Sequence, residues 1–476
     1  MWRFGAKTEN LSGAAACRVD LLRMILVIIL KNVSSTCTSV IDMVLRSSLV
    51  VLAATAFHAS TSAAAPASEQ PSALASQPPS PPPEQTPIDV PQRAASPLDN
   101  VSIWGYGELY YARPSKDEGR TIADLRRAVF GLGYRFSPKV VFNSEWEVEH
   151  AIASAGDSGE FEIEQLYVDF QALPELNVTA GLFLMPFGLL NEHHEPTHFY
   201  GVQRNFVETE IIPSTWREGG LSLHGDFDFG LGYSAGIVTN NSFRGWEFSS
   251  DAPPYVTAFD LESAQPGPLQ STHQELQRAD ASHLAGFLSL NYHGIPGFVI
   301  GAAATTGKAT APLFPDGTVA PQPRVTLWEA HARWTPGRLD LSALYAEGRI
   351  SDTAQVNAAN PEATNPIPSR FWGFYAQAAY TVYEDATFRL SPFARFERYD
   401  LGASYEGTSG PVVPPGRVQV SQTPGDVAPF PVNNDKVWTV GANFYITQGV
   451  VVKADYQWFA NNSNFDRLDL GLGIAF

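Results

Sequence analysis

The last ten residues of this chain alternate bulky apolar side chains with small or polar ones, and this two-residue period restricts the fold more than any other feature. Successive side chains of a β-strand point to opposite faces, so such a segment has one apolar and one polar face. An apolar face suits lipid, and small residues opposite suit the wall of a lumen. The apolar face carries Leu468, Leu470, Leu472, Ile474 and Phe476, and the other carries Asp469, Gly471, Gly473 and Ala475.

Earlier segments repeat this alternation, and together they predict sixteen strands. Short turns alternate with long connections, and the even count is the one that a single-chain outer-membrane barrel requires. We therefore predict an all-β fold, a 16-stranded antiparallel transmembrane β-barrel, which at this size encloses water. The predicted strands span 101–113, 124–137, 140–153, 160–172, 176–188, 218–227, 230–240, 283–294, 297–307, 324–335, 338–350, 370–383, 387–400, 437–448, 450–461 and 465–476.

Composition excludes two other classes of protein. The 476 residues contain no apolar run of the roughly 20 residues that a membrane-spanning helix needs. The chain has 31 basic and 49 acidic residues, for a net charge of −18. Because binding to nucleic-acid phosphates requires a basic surface, no nucleic-acid partner is expected.

The residues before 100 predict export. The stretch 43–64 has a positively charged start, an apolar middle and small residues at its end, which is typical of a cleaved signal peptide. We interpret 1–42 as a mis-set start or an extension of the signal. Residues 65–99 are rich in Pro, Ser and Ala, and they predict a disordered periplasmic leader. Residues 100–476 form the predicted barrel domain.

The stretch between the fifth and sixth predicted strands resembles a known family. The sequences LNVTAGLF at 176–183, MPFG at 185–188, NEHHEPT at 191–197 and IIPSTWREGG at 211–220 are similar to the phosphate-selective porin O/P superfamily of Gram-negative bacteria. The resemblance implies a homotrimeric porin of the outer membrane with inward-folded constriction loops. It also implies contact with outer-membrane lipid and lipopolysaccharide, and with the barrel assembly machinery through Phe476.

The resemblance implies a passive diffusion channel for small hydrophilic solutes or ions. The phosphate-specific members use arginines and clustered lysines at the constriction. Here the loop 189–217 contains only Arg204 and Arg217 as bases, against Glu192, Glu195, Glu208 and Glu210. The acidic loop does not support a phosphate or anion preference, and the solute stays open.

Charged residues on the predicted lumen face are the candidates for pore lining and selectivity. Charges on a narrow pore wall select ions strongly, so facing acidic and basic rows would set up a transverse field. The alternative is that they are solvated lumen residues with compensating neighbours. The candidates are Arg127, Arg135, Glu145, Glu147, Glu149, Asp169, Arg389, Arg395, Glu397 and Asp469.

A second group of candidates lies in the constriction loop. His193, His194 and His198 with the nearby acids suggest a metal site by residue type, but their spacing matches no known ligand motif, so no metal is predicted. We interpret Trp216-Arg217-Glu218 as a charge-assisted contact that attaches the loop to the barrel wall. The candidates are Glu192, His193, His194, Glu195, Arg204, Trp216, Arg217 and Glu218.

Two alternative functions remain open. One is a structural or adhesion barrel that conducts no current. The other is a barrel enzyme such as a lipase or protease, for which no convincing Ser and His pair is evident. We predict that the protein is not an enzyme and uses no cofactor.

Overall fold

A computed structural model describes residues 100–116, 118–153, 159–248, 267–363, 365–408, 434–461 and 463–476. The predicted start or extension at 1–42, signal peptide at 43–64 and leader at 65–99 lie outside the described residues, so they stay predictions.

Sixteen antiparallel strands form one closed barrel, which confirms the predicted fold. The first eight are β1 (Val101–Pro114), β2 (Ile122–Ser137), β3 (Val140–Glu149), β4 (Phe161–Leu173), β5 (Leu176–Leu184), β6 (Arg217–Phe227), β7 (Leu231–Val238) and β8 (Ala285–Ile295). The second eight are β9 (Phe298–Lys308), β10 (Arg324–Trp334), β11 (Leu339–Ile350), β12 (Pro368–Tyr380), β13 (Arg389–Tyr405), β14 (Asn434–Thr447), β15 (Val450–Phe459) and β16 (Arg467–Ala475). Tyr383–Glu384 adds a two-residue pairing to the start of β13.

The barrel closes where β1 meets β16. Leu109 lies opposite Leu472 in that pairing. The backbone of the last residue, Phe476, exchanges hydrogen bonds of 2.9 and 3.1 Å with Gly105. Because the ends of the sheet pair with each other, no strand edge is left open at this seam.

The two ends of the barrel differ in the length of their connections. Short turns join β2 to β3, β4 to β5, β6 to β7, β8 to β9, β10 to β11 and β14 to β15. The long connections, such as 185–216 and 309–323, leave from the other end. In outer-membrane barrels the short turns face the periplasm and the long loops face outward.

Exposure follows the predicted alternation. On β16, Leu468, Leu470 and Ile474 are 39%, 44% and 43% exposed, whereas Asp469 is 0% exposed. The apolar side chains therefore lie on the outer surface, and the polar ones lie inside.

Two predicted strands extend four residues beyond the observed ends. The predicted strand 140–153 ends at Glu149, because His150 and Ala151 adopt left-handed backbone with φ of 52° and 64°. The predicted strand 176–188 ends at Leu184, close to Pro186, which has no N–H for a sheet ladder.

The described helices are short. They span Glu118–Arg120, Val207–Ile211, Ala354–Ala359 and Ser463–Phe465. Within the described residues, no helix has the length and apolar character to cross a membrane.

Candidate constriction and lumen

The connection 185–216 between β5 and β6 folds into the barrel and packs on its inner wall. Phe206, Val207 and Ile211 are at most 4% exposed and belong to one apolar cluster with Phe371 and Tyr399 of the wall. The ring centroids of Phe206 and Tyr399 are 5.4 Å apart. We call 185–216 the inner segment. Its apolar face removes these wall residues from water, which stabilises the inward position.

Glu208 fixes the shape of the inner segment. One carboxylate oxygen accepts hydrogen bonds from the N–H groups of Leu189 (2.5 Å) and Leu190 (2.8 Å). The other accepts from the Asn205 side-chain amide (2.8 Å) and from the Tyr375 hydroxyl (2.9 Å) on β12. Burial raises the pKa of Glu208, and these hydrogen bonds oppose that rise. One side chain thus joins both parts of the segment to the wall.

Polar side chains of the wall also bind the backbone of the inner segment. Asp455 accepts from the N–H of Val202 at 2.6 Å, and the Asn443 amide donates to the carbonyl of Phe199 at 2.9 Å. Both wall residues are at most 3% exposed. Their buried polar atoms need partners, and the irregular backbone of the segment supplies them.

Four predicted pore-lining residues lie beneath the inner segment. Arg127, Arg395, Glu397 and Asp469 are between 0% and 2% exposed. The Arg395 guanidinium donates to Glu397 at 2.7 Å and to the carbonyl of Tyr200 at 3.1 Å. These side chains face inward, as the alternation predicts, and the segment covers them.

Two further ion pairs accompany the Arg395–Glu397 pair on the inner wall. Arg127 binds Glu108 at 2.8 Å and also donates to the carbonyl of His194 at 2.7 Å. Arg467 binds Asp469 at 2.9 Å. Buried charges need such pairing, because an uncompensated charge inside a protein is strongly destabilising.

The other predicted pore-lining residues are spread over the inner wall. Glu145 accepts hydrogen bonds from Trp104 (2.6 Å) and Gln165 (2.5 Å), and Asp169 binds the Thr179 hydroxyl at 3.0 Å. The remaining four are Glu147, which is buried, Glu149, which is half-buried, Arg135, which is exposed, and Arg389, which stacks 3.8 Å above the ring of Tyr445.

The adjacent histidines of the inner segment have different surroundings. His194 is 3% exposed, and its ring lies 2.6 Å from the Tyr106 hydroxyl and 2.9 Å from the carbonyl of Asn191. His193 faces the open lumen. Among the residues that the structure describes, no group of three or more His, Cys, Asp or Glu side chains is arranged to hold a metal ion.

Two more candidates form a pair within the inner segment. His198 lies 2.7 Å from Glu195. Burial raises the pKa of Glu195, but the hydrogen bond with His198, a backbone hydrogen bond and the charges of His198 and His194 together lower it to about 2. The hydrogen bond with Glu195 raises the pKa of His198.

Arg217, at the end of the inner segment, joins three parts of the molecule. It lies 2.5 Å from Glu162 of β4 and 3.0 Å from Glu275 of the connection between β7 and β8. The neighbouring Trp216 donates to Glu218 at 3.2 Å, while Arg204 donates to the Thr215 hydroxyl at 3.3 Å. These contacts place all four predicted residues in the attachment of the segment.

An open cavity of about 580 Å³ remains beside the inner segment, against strands β3 to β8. Its charged and titratable lining residues are Asp169, Glu192, His193, His224, Asp226 and His293, together with Tyr167 and Tyr233. The Glu192 side chain is exposed to this space, but the barrel surrounds it, and that enclosure raises its pKa to about 7. The rest of the lining is largely Asn, Gln, Ser and Thr.

The sequence prediction missed His224, Asp226 and His293 as cavity residues. The alternation of polar and apolar residues could have identified two of them, His224 and His293. Ser222 and His224 alternate with apolar residues on β6, and polar residues up to His293 do so on β8. Asp226 lies at the turn, where the two-residue period ends.

A family model, phosphate-selective porin O and P, matches residues 102–467 of this chain. An uncharacterized protein of Aquifex aeolicus (strain VF5) is 31% identical over 320 residues, which cover 64% of this chain and 67% of that one.

Three solved structures are among those to which this chain is similar. Salmonella typhi OmpF in complex with daunomycin is 13% identical, with a TM-score of 0.46, and the match covers 79% of this chain and 98% of that one. A loop-deletion mutant of OmpT, an outer membrane protein of Vibrio cholerae, is 10% identical with a TM-score of 0.45 and the same coverage. The outer membrane channel DcaP of Acinetobacter baumannii is 11% identical with a TM-score of 0.42, covering 79% and 97%.

Proposed function

Since this chain belongs to the phosphate-selective porin O and P family and is an outer-membrane channel, we propose that small cations and uncharged hydrophilic solutes diffuse passively through its lumen. The observation that carries this proposal is the lining of the 580 Å³ cavity, whose described residues include Asp169, Glu192 and Asp226 but no Lys or Arg.

The charge of the cavity lining favours cations over anions. A cleft lined by charges of one sign raises the local concentration of the opposite ion, and low-dielectric walls strengthen the effect. Tight phosphate recognition uses Arg or Lys donors. In the described part of the wall, Arg127, Arg395 and Arg467 are paired with carboxylates and buried, and Arg135 and Arg389 lie outside the lining of the cavity. Phosphate selectivity is therefore not part of the proposal.

Reversal-potential measurements in a potassium chloride gradient test the proposal. Purified, refolded protein in a planar bilayer is expected to conduct with a reversal potential of the sign set by cation preference. The variant Glu192→Gln, which removes one lumen carboxylate without changing its size, should reduce that preference. Glu384→Gln, at an exposed turn, is the matched control and should leave it unchanged. An anion preference of the native protein would overturn the proposal, and absence of current would favour the non-conducting alternative.

Assembly as a homotrimer and recognition by the barrel assembly machinery remain predictions from the family resemblance. Phe476 is 76% exposed on the outer surface, where a second protein could reach its ring. Its backbone already pairs with Gly105. Light scattering of the refolded protein tests the trimer, and a monomer would contradict it.

A further inference from the structure

The outer face of the barrel carries a row of basic side chains on six consecutive strands. The row consists of Lys308 on β9, Arg324 on β10, Arg349 on β11, Arg370 on β12, Arg398 on β13 and Lys436 on β14. The neighbours of these residues in sequence point into the barrel, where Val325, Ile350, Phe371, Tyr399 and Val437 are at most 2% exposed. The basic side chains therefore point outward, away from the lumen. We call this set the basic row.

The pairing of the strands brings like charges together in the basic row. Lys308 lies directly opposite Arg324, Arg349 opposite Arg370, and Arg398 opposite Lys436. Like charges at directly opposite positions of a sheet destabilise it. Because three such pairs lie side by side, we expect an anion from outside the sheet to neutralise part of their positive charge.

Acidic side chains balance part of the charge of the basic row, since Asp400 lies close enough to Arg370 and Arg398 to interact with both. Glu347 binds both Arg349 and Arg370 at 2.8 Å. Within the described residues, Lys308, Arg324 and Lys436 have no ion pair, and Arg398 packs over the ring of Trp372 at 5.1 Å. The basic row thus retains excess positive charge that can bind an external anion.

A chain of aromatic rings marks the depth of the basic row in the membrane. Neighbouring rings of Trp328, Tyr345, Trp372, Phe374, Phe396 and Trp438 have centroids between 4.9 and 6.4 Å apart. Such rings lie at the boundary between hydrocarbon and headgroups in membrane barrels. The basic residues lie one or two outward-facing positions beyond the rings, toward the end with the long connections. That position is the headgroup layer of the outer leaflet.

The opposite side of the barrel differs at the same end. The outward residues there are largely apolar, and Arg113 of β1 is paired with Glu118. The apolar residues are Tyr111, Leu125, Trp146, Phe161, Leu221 and Ile237, each at least 36% exposed. The positive charge is therefore local to β9–β14, as a binding site would be, and is not a feature of the whole rim.

We infer that the basic row is a binding site for the phosphate groups of an outer-leaflet lipid, of the kind that lipopolysaccharide carries on its lipid anchor. Guanidinium groups bind phosphate oxygens through paired hydrogen bonds, and the aromatic rings beneath the row contact the acyl chains. The inference depends on the outer-membrane location and on this face alone, so it is independent of which solute crosses the lumen.

Binding of purified lipid A to the refolded barrel, measured by native mass spectrometry from detergent, tests the inference. The double variant Lys308→Gln/Arg324→Gln removes one directly opposed pair. Each base at an anionic lipid surface contributes about fivefold in affinity, so removing two should weaken binding about 25-fold. The control Lys139→Gln/Arg338→Gln makes the same two replacements at the short-turn end and should bind as the native protein does.

Two further experiments distinguish a lipid phosphate from free phosphate, and a lipid partner from a protein partner. Dephosphorylated lipid A should bind the native barrel as weakly as phosphorylated lipid A binds the double variant. Inorganic phosphate at millimolar concentration should not displace lipid A, and comparable binding of free phosphate would overturn the lipid assignment. Equal lipid binding by native and variant protein would also overturn it. A third result would overturn it as well: light scattering shows that the double variant no longer forms the native oligomer, yet the variant still binds lipid A. The basic row would then be an interface between proteins.

Discussion

The Glu397 carboxylate on β13 accepts a hydrogen bond of 2.6 Å from the backbone N–H of Phe206, which lies 191 residues earlier in the chain. Glu397 is 0% exposed and also holds Arg395 at 2.7 Å. A buried carboxylate of the wall thus fixes the inner segment, and the free width of the lumen depends on contacts of this kind.

Replacing Glu397 by Ala should detach part of the inner segment and raise the single-channel conductance. The change leaves the buried Arg395 without its partner, and breaking a buried ion pair costs about 3–5 kcal/mol. The ladder of β13 with β12 and β14 uses backbone groups only, so the barrel should still form. Planar-bilayer recordings measure the effect, with Glu384→Ala at an exposed turn as control. Unchanged conductance of a folded Glu397→Ala barrel would show that the segment does not need this contact.

Tyr375→Phe should loosen the inner segment without changing the barrel. It removes the 2.9 Å hydrogen bond to Glu208, and a hydrogen bond to a charged group contributes about 1.5–3 kcal/mol. Faster amide hydrogen exchange is therefore expected at Leu189 and Leu190, whose N–H groups bind the same carboxylate. Tyr380→Phe is the matched control, since Tyr380 ends the same strand and is 51% exposed. Equal exchange in both variants would contradict the role of Tyr375.

The sixteen strands could be predicted because lipid outside and water inside impose a two-residue period on every strand. The strongest example is β16, where Leu468 and Asp469 have opposite exposure as expected. The ends of strands were less predictable. They depend on local backbone events, such as the left-handed conformation of His150 and Ala151, that alternation does not encode.

The surroundings of the inward charges could not be predicted from the period. Alternation assigns Arg127 and Arg395 to the inner face but cannot tell whether water or protein lies against them. Their cover is the backbone of the inner segment, which contributes the carbonyls of His194 and Tyr200. Such contacts join residues far apart in sequence and use main-chain atoms that every residue has, so no side-chain pattern reveals them.

Cation preference should increase as the pH rises through about 7. The pKa of Glu192 is raised to about 7 by its enclosure in the lumen, so its carboxyl is neutral below that pH and negatively charged above it. Reversal potentials between pH 6 and pH 8 measure the change. The cavity also contains Asp169, His193, His224, Asp226 and His293, so the native protein is compared with Glu192→Gln, which retains them. Identical pH profiles of the two proteins would show that Glu192 does not cause the change in cation preference.

Arg389→Glu and Arg395→Glu should act differently, although both residues occupy inward positions of β13. Arg389 is half-buried over the ring of Tyr445 near the short-turn end, so reversing its charge should shift the reversal potential toward cations and leave conductance nearly unchanged. Arg395 is 2% exposed and donates to Glu397 and to the carbonyl of Tyr200. A carboxylate there would face Glu397 and release the inner segment, which predicts altered conductance or a lower yield of folded barrel.

Single-channel recordings in a salt gradient separate the two effects, because they give conductance and reversal potential from the same channel. Arg338→Glu, at an exposed turn, controls for the change in total charge. If Arg395→Glu shifted the reversal potential as Arg389→Glu does, with native conductance and yield, then Arg395 would be open to the permeating ions. The inner segment could not then cover it as the hydrogen bond to Tyr200 requires.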